Sequence, residues 1–341
     1  MATPAQTQPP SPVRIFGALT AHEQTSALKT AIELEVFTAI GEGATTAQAI
    51  AQRCGASERG VRILCDFLTI QELLTKEGSN YRLTPDSATF LDRHSPAYLG
   101  SAVKFMVSPD ILNAFEELTA AVRKGGTAVS EEGLLVPENP AWVEFARSMP
   151  PMVAGPADAI SKLLGAEAGE KWKVLDIAAG HGLFGIAIAK ANPQAQVVAQ
   201  DWSSVLDVAK ENAQKAGVAN RFQTVPGSAF EAKLGDDYDL VLLTNFLHHF
   251  DVPTCESLLR KVHAALKPGG RVATLEFVPN EDRVSPPLPA MFSIMMLSTT
   301  ARGDAYTFSE FEQMFRNAGF GRSELHDLPM SPQRVIISYK S

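Results

Sequence analysis

Positive charge is in short supply in this chain. Its 341 residues hold 30 Lys and Arg against 38 Asp and Glu, a formal net charge of −8. A nucleic acid or an anionic membrane as main partner calls for the opposite balance. Cysteine is scarce too: Cys54, Cys65 and Cys255 are the only three, and their spacing fits neither a metal site nor a disulfide framework. Each reads as a small apolar residue, and a reducing cytoplasm is the expected location. No apolar run approaches the roughly 20 residues of a membrane helix. The opening MATPAQTQPPSP has neither a basic start nor an apolar core, so it is read as a disordered tail rather than a signal peptide. What remains is ordinary globular material, 45% hydrophobic and 20% charged, long enough for two domains.

The stretch that organises the rest is Val174-Leu175-Asp176-Ile177-Ala178-Ala179-Gly180-His181-Gly182-Leu183-Phe184-Gly185. A short apolar run ends in an acid, glycines follow, and an apolar helical pattern runs on to Ala189. This is a buried strand, a tight turn and a helix N-terminus. In open α/β sheets such a crevice, at a strand's carboxyl end, binds ligands. Gly180, Gly182 and Gly185 spell G-x-G-x-x-G, which alone is a weak dinucleotide signal. Asp176 is taken as the discriminator, because a carboxylate beside a pyrophosphate repels it and suits a cationic ligand such as S-adenosylmethionine. Asp201 closes the next apolar run, where an acid can accept both hydroxyls of a ribose.

Residues 13–100 read as one unit. Apolar residues at helical spacing from Leu19 to Ile40 predict a helix, Thr45-Thr46 precedes a short second one, and Ser57 caps a third over Glu58–Leu74. Lys76–Thr84 predicts a β-ribbon around Gly78-Ser79-Asn80. Three helices and a ribbon make a winged-helix pattern. A DNA reader shows a basic face, but residues 1–100 hold eight Lys and Arg against ten Asp and Glu. Dimerisation through the Leu19–Ile40 helix is the preferred reading. Residues 101–165 read as a helical linker, with Trp142, Phe145 and Met149 on one helical face; taken alone, that face is ordinary core. From residue 166 to 341 strands and helices alternate: strands are predicted at Lys173–Ile177, Gln196–Gln200, Phe222–Pro226, Leu240–Thr244, Arg271–Val278 and Arg334–Tyr339. Alternation of this kind predicts a parallel sheet covered by helices on both faces.

The Asp176–Gly182 loop, Asp201, Gly227-Ser228-Ala229-Phe230, Leu247-His248-His249-Phe250, Leu266-Lys267-Pro268-Gly269-Gly270, Glu276 and Phe145-Ala146-Arg147-Ser148-Met149 stand in a characteristic order and spacing. In these features the chain resembles the class I S-adenosylmethionine-dependent O-methyltransferases of the caffeate/hydroxyindole (acetylserotonin) type. The resemblance implies an α/β fold, a Rossmann-like methyltransferase domain behind a mainly helical winged-helix dimerisation domain, and a homodimer. It also implies that the cofactor's methionine part lies at Ala178, Gly180 and Gly182, its ribose on Asp201 beside Trp202, and its adenine near Ser228, Ala229 and Phe230, with Thr244 close by. Relatives often carry an acid at the Ser228 position, and plant relatives a lysine at Thr244.

By the same resemblance His248 is the catalytic base and Glu276, twenty-eight residues on, orients it. A phenol, with a pKa of about 10, needs such a base, and histidine suits the task. His249 is expected to point away. Relatives place another acid where Ala305 stands, and Asp304 is the candidate substitute. Phe292, Met295 and Met296, in a methionine-rich helix, are expected to line the acceptor pocket with Phe145 and Met149; taken alone that helix is equally a core helix. The clustered Asp and Asn ligands of metal-dependent catechol methyltransferases are not found at the expected places, so no metal is expected. The expected function is methylation of a hydroxyl on a small aromatic or polyketide-like molecule. Transfer to sulfur, nitrogen or carbon, a non-methylating reaction such as hydroxylation or ring closure, and a DNA-binding regulator stay open as alternatives.

Overall fold

The structure is a computed structural model and describes residues 10–329 and 331–341; most of the expected N-terminal tail, residues 1–9, lies outside the described residues. The described chain divides into two compact units, the first ending at Val103 and the second running from Lys104 to Ser341.

In the first unit, helices Val13–Leu19, Ala21–Glu33, Val36–Gly41, Ala47–Cys54 and Glu58–Ile70 precede an antiparallel ribbon, β1 (Leu74–Glu77) and β2 (Asn80–Leu83). Local signals set several ends. Thr46 accepts from the Ala49 amide, Ser57 from the Gly60 amide, and Gly55 closes its helix in the left-handed region at φ 64°. The single helix predicted from Leu19 to Ile40 is broken. Glu35 takes φ 58°, and the turn it makes lets Ala31, Ile32, Val36, Phe37 and Ile40 all enter the unit's own core. A run of exposed apolar side chains lies at the start of the unit, at Val13, Ile15, Phe16 and Leu19, which are 62–72% exposed.

The second unit is built on seven strands: β3 (Lys173–Ile177), β4 (Gln196–Asp201), β5 (Phe222–Pro226), β6 (Tyr238–Thr244), β7 (Leu266–Glu276), β8 (Ser323–Asp327) and β9 (Arg334–Tyr339), in the order β5-β4-β3-β6-β7-β9-β8. The sheet is mixed rather than wholly parallel, because β9 runs antiparallel to both β7 and β8. A connection as short as 328–333 can only reverse the chain; a parallel crossover needs a dozen residues or more. The Pro268-Gly269-Gly270 turn falls inside β7. Pairing jumps from Tyr238–Leu266 to Leu240–Arg271, and Gly269 at φ 74° lets the extra residues bulge.

Strand β3 is buried on both faces, as its unbroken apolar run requires. Val174 joins a core under helices Leu183–Ala191, Ser203–Lys215 and Pro150–Leu163, while Leu175 and Ile177 join a core under Val252–Ala265 and Phe308–Asn317. Each such side chain contributes about 1.5–3 kcal/mol by leaving water. Strand order reverses between β4-β3 and β3-β6, which opens a crevice at the carboxyl ends of these strands. Helices Pro140–Ser148 and Pro287–Thr299 stand over it. No helix among the described residues is long and apolar enough to cross a membrane.

Candidate active site

The crevice widens into a cavity of about 730 Å³ at the ends of β3, β4, β6 and β7. Its floor is the loop after β3. Ala178, Gly180 and Gly182 all have positive φ, at 52°, 57° and 75°, so the backbone folds back on itself directly above the sheet. Asp201, the last residue of β4, holds this loop: its carboxylate accepts from the amides of Gly180 at 2.8 Å and Trp202 at 2.7 Å. Burial raises the Asp201 carboxyl to about 6, against the pull of those two amides. It therefore remains largely ionised at neutral pH, facing the cavity.

Asp176 behaves differently, and the electrostatic role expected of it fails. Its side chain is wholly buried beneath the loop and is not part of the cavity wall. One oxygen accepts from the Gly185 amide at 3.0 Å; the other has no hydrogen-bond partner among the described residues. Burial lifts its carboxyl to about 8, so it is predominantly protonated at neutral pH and offers a ligand no charge. Gly182 too lies outside the wall, because a Cβ there would press on Ala209 and Phe222 in the core.

Gly227, Ser228, Ala229 and Phe230 line the next part of the cavity with Gln200 and Trp202. The Ser228 hydroxyl oxygen already accepts from the Phe230 amide at 3.2 Å. Gln200 donates to the Gly227 carbonyl, and Lys261 donates to the carbonyls of Ala229, Phe230 and Ala232 at 2.7–2.9 Å, pinning the loop from behind. Neither Gln200 nor Lys261 is marked by any local motif.

At the end of β6, Thr244 lines the wall and Asn245 takes φ 56°, swinging the chain into the short 3-10 turn Leu247–His249. Glu276, at the end of β7 and wholly buried, organises that turn. One carboxylate oxygen accepts from the amides of Phe246 at 3.0 Å and Leu247 at 2.9 Å; the other takes the hydrogen bond donated by His248 Nδ1. Among the described residues the imidazole Nε2 has no hydrogen-bond partner, and His248 lines the cavity. Phe292 meets the His248 ring edge-on at 4.9 Å between centroids and stacks on Phe277 at 4.0 Å.

Ala305 is fully buried, and Asp304 does not replace an acid there. Its carboxylate accepts from the Ala305 amide and pairs with Arg283 at 3.2 Å. His249 does not point away from the site: it lines the cavity, 4.2 Å from His248 between ring centroids. Phe145, Met149, Met295 and Met296 also line the wall, joined by Phe105 and Trp142. The helix carrying Phe145 is tied down by Arg147, which pairs with Glu211 through two hydrogen bonds. Among the described residues no group of three or more His, Cys, Asp or Glu side chains could hold a metal ion.

A doubly wound sheet of this order, with a glycine loop after its first strand and an acid ending the second, defines a class I S-adenosylmethionine-dependent methyltransferase. Residues 168–321 match the O-methyltransferase domain, and residues 18–93 match the O-methyltransferase dimerisation domain. The crystal structure of a protein described as an O-methyltransferase from Nostoc punctiforme superposes with a TM-score of 0.95 at 56% identity, covering 97% of this chain and 100% of that one. The tetracenomycin polyketide synthesis 8-O-methyl transferase TcmO of Streptomyces glaucescens is 27% identical over 301 residues, 86% of this chain and 87% of that protein. Human N-acetylserotonin methyltransferase, solved in complex with S-adenosylmethionine, shares the fold, with a TM-score of 0.84 at 23% identity and 99% of each chain covered. The chain belongs to the S-adenosylmethionine-dependent O-methyltransferases.

Proposed function

We propose that this enzyme, acting as a homodimer and without a metal, methylates a hydroxyl of a small aromatic or polyketide-like acceptor, with His248 as general base. The pairing of His248 Nδ1 with the buried Glu276 carboxylate carries the reading. With Nδ1–H donated to Glu276, Nε2 holds a lone pair facing the cavity. S-Adenosylmethionine, when bound, supplies a methyl group already activated on a sulfonium. Asp201 ends β4 with lone pairs still free for ribose hydroxyls, while Gly180, Trp202 and the Ser228–Phe230 loop shape the rest of its cradle. The apolar wall of Phe145, Met149, Phe292, Met295 and Met296 holds the acceptor's ring system and excludes water.

His248 Nε2 takes the hydroxyl proton as the acceptor oxygen bonds to the methyl carbon and the carbon–sulfur bond breaks. Glu276 then faces an imidazolium at Nδ1 and stabilises it. The dimerisation domain supports the homodimer. The test is single-turnover methylation by His248→Ala. Loss of a general base costs about 10²–10⁴ in rate, while calorimetric affinity for S-adenosylmethionine stays near the parent's and EDTA leaves the parent's rate unchanged. An undiminished rate in the variant rejects the base; a rate abolished by EDTA and restored by a divalent cation rejects the metal-free reaction.

A further inference from the structure

His249 is a second imidazole in the cavity wall with no part in the chemistry above. Its Nδ1–H donates to the Phe246 carbonyl at 3.2 Å, which leaves a lone pair on Nε2. Among the described residues that nitrogen has no hydrogen-bond partner, and the residue lines the cavity. The ring is held in place: Trp142 meets it edge-on at 5.5 Å and Phe246 and Phe250 flank it at 6.3 and 6.2 Å. Burial, and then the neighbouring His248, hold its pKa well below the usual histidine value, so it stays neutral and accepts rather than donates. Among the described residues the cavity wall contains no Lys or Arg, whereas Glu132, Asp201 and Glu231 bring carboxylates. This wall therefore offers an anionic acceptor no Lys or Arg to pair with.

We propose that His249 Nε2 accepts a hydrogen bond from a second hydroxyl next to the one that reacts on His248, making the preferred acceptor an uncharged arene with neighbouring hydroxyls. The closeness of the two rings, 4.2 Å between centroids, carries this. Adjacent residues of one short turn present two imidazoles to one cavity, each with its Nδ1 engaged by a protein oxygen, and a buried ring nitrogen left without a hydrogen-bond partner carries a desolvation penalty. A site built this way discriminates against an analogue that lacks the second hydroxyl. The proposal rests on the reading of His248 as base.

The experiment compares a naphthalenediol with vicinal hydroxyls and the corresponding naphthol as acceptors, at saturating S-adenosylmethionine, with release of S-adenosylhomocysteine as readout. The parent is expected to favour the diol in kcat/KM by on the order of tenfold, chiefly through KM. In His249→Phe, which keeps a ring but loses the nitrogen, the diol-to-naphthol ratio falls to near one. In His249→Asn, whose carbonyl can accept, part of the preference returns. A parent that uses the two acceptors equally, a diol that is not turned over, or a preference that survives His249→Phe overturns the proposal. Calorimetry separates the two levels of failure. If S-adenosylmethionine does not bind the parent, the methyltransferase reading falls and this one with it. If it binds and naphthol is methylated without preference for the diol, this inference alone falls.

Discussion

Glu276→Gln isolates what the buried carboxylate does for the imidazole. The glutamate oxygens accept from the Phe246 and Leu247 amides at 3.0 and 2.9 Å and from His248 Nδ1. A glutamine keeps the side-chain volume, and its carbonyl still serves the two amides. Its NH2 group then faces Nδ1, so the imidazole must accept there and carry its proton on Nε2, the wrong tautomer for a base. The negative charge that stabilises the imidazolium is gone as well. A hydrogen bond to a charged group contributes about 1.5–3 kcal/mol, which at 1.36 kcal/mol per decade is roughly a 10- to 100-fold loss in kcat. Glu276→Ala is the poorer experiment, because it strands two buried amides at about 1–3 kcal/mol each and destabilises the fold. The assay is steady-state kcat and KM, with calorimetric affinity for S-adenosylmethionine and a thermal melt as controls. The expected pattern is a lowered kcat with cofactor affinity and melting temperature near the parent's. A kcat within about twofold of the parent would refute the tautomer argument.

Two further outcomes follow from the floor of the site. The Asp176 carboxyl is raised from an ordinary 3.8 to about 8, so the folded chain holds this proton more tightly than the unfolded chain does. The stability it contributes is full at pH below the ordinary value and is lost as pH rises toward 8. Asp176→Asn cannot ionise, so its melting temperature relative to the parent should climb between about pH 5 and pH 9; a constant difference across that range argues against a buried neutral acid. Gly185→Ala tests close packing of helix on strand. The new Cβ would lie 2.7 Å from Val197 Cγ1 and 3.0 Å from Asp176 Oδ2. Overpacking at about 1–3 kcal/mol should outweigh the gain of up to about 1 kcal/mol from helix propensity, so denaturant titration should show a less stable protein, and a stabilised variant contradicts the crowding.

The sheet was legible in the sequence where burial is two-sided. Lys173–Ile177 stands where its apolar run puts it, because turn residues bound that run sharply; Phe222–Pro226, an edge strand with only Phe222 buried, also keeps its predicted bounds. Strand β8 was not legible: Ser-Glu-Leu-His-Asp has no clean alternation, and all its positions but the last are half-buried. The misreadings in the site have a common cause. Asp176 has a carboxylate's formula, but its charge depends on a burial that no local pattern reports. The position of His249 depends on backbone course, since neighbouring side chains diverge on a strand but not in the turn Leu247–His249. That turn depends in its turn on Glu276, a strand away. Asn245 shows the same dependence at longer range: its side-chain oxygen accepts from Gln333, 88 residues on, and both line the cavity. One carboxylate both folds the Phe246–Leu247 corner and addresses the His248 ring, so the geometry of the base and the local fold are a single property of Glu276. A family resemblance could name that pair, but only the shared hydrogen bonds explain why the turn, and with it both imidazoles, faces the cavity.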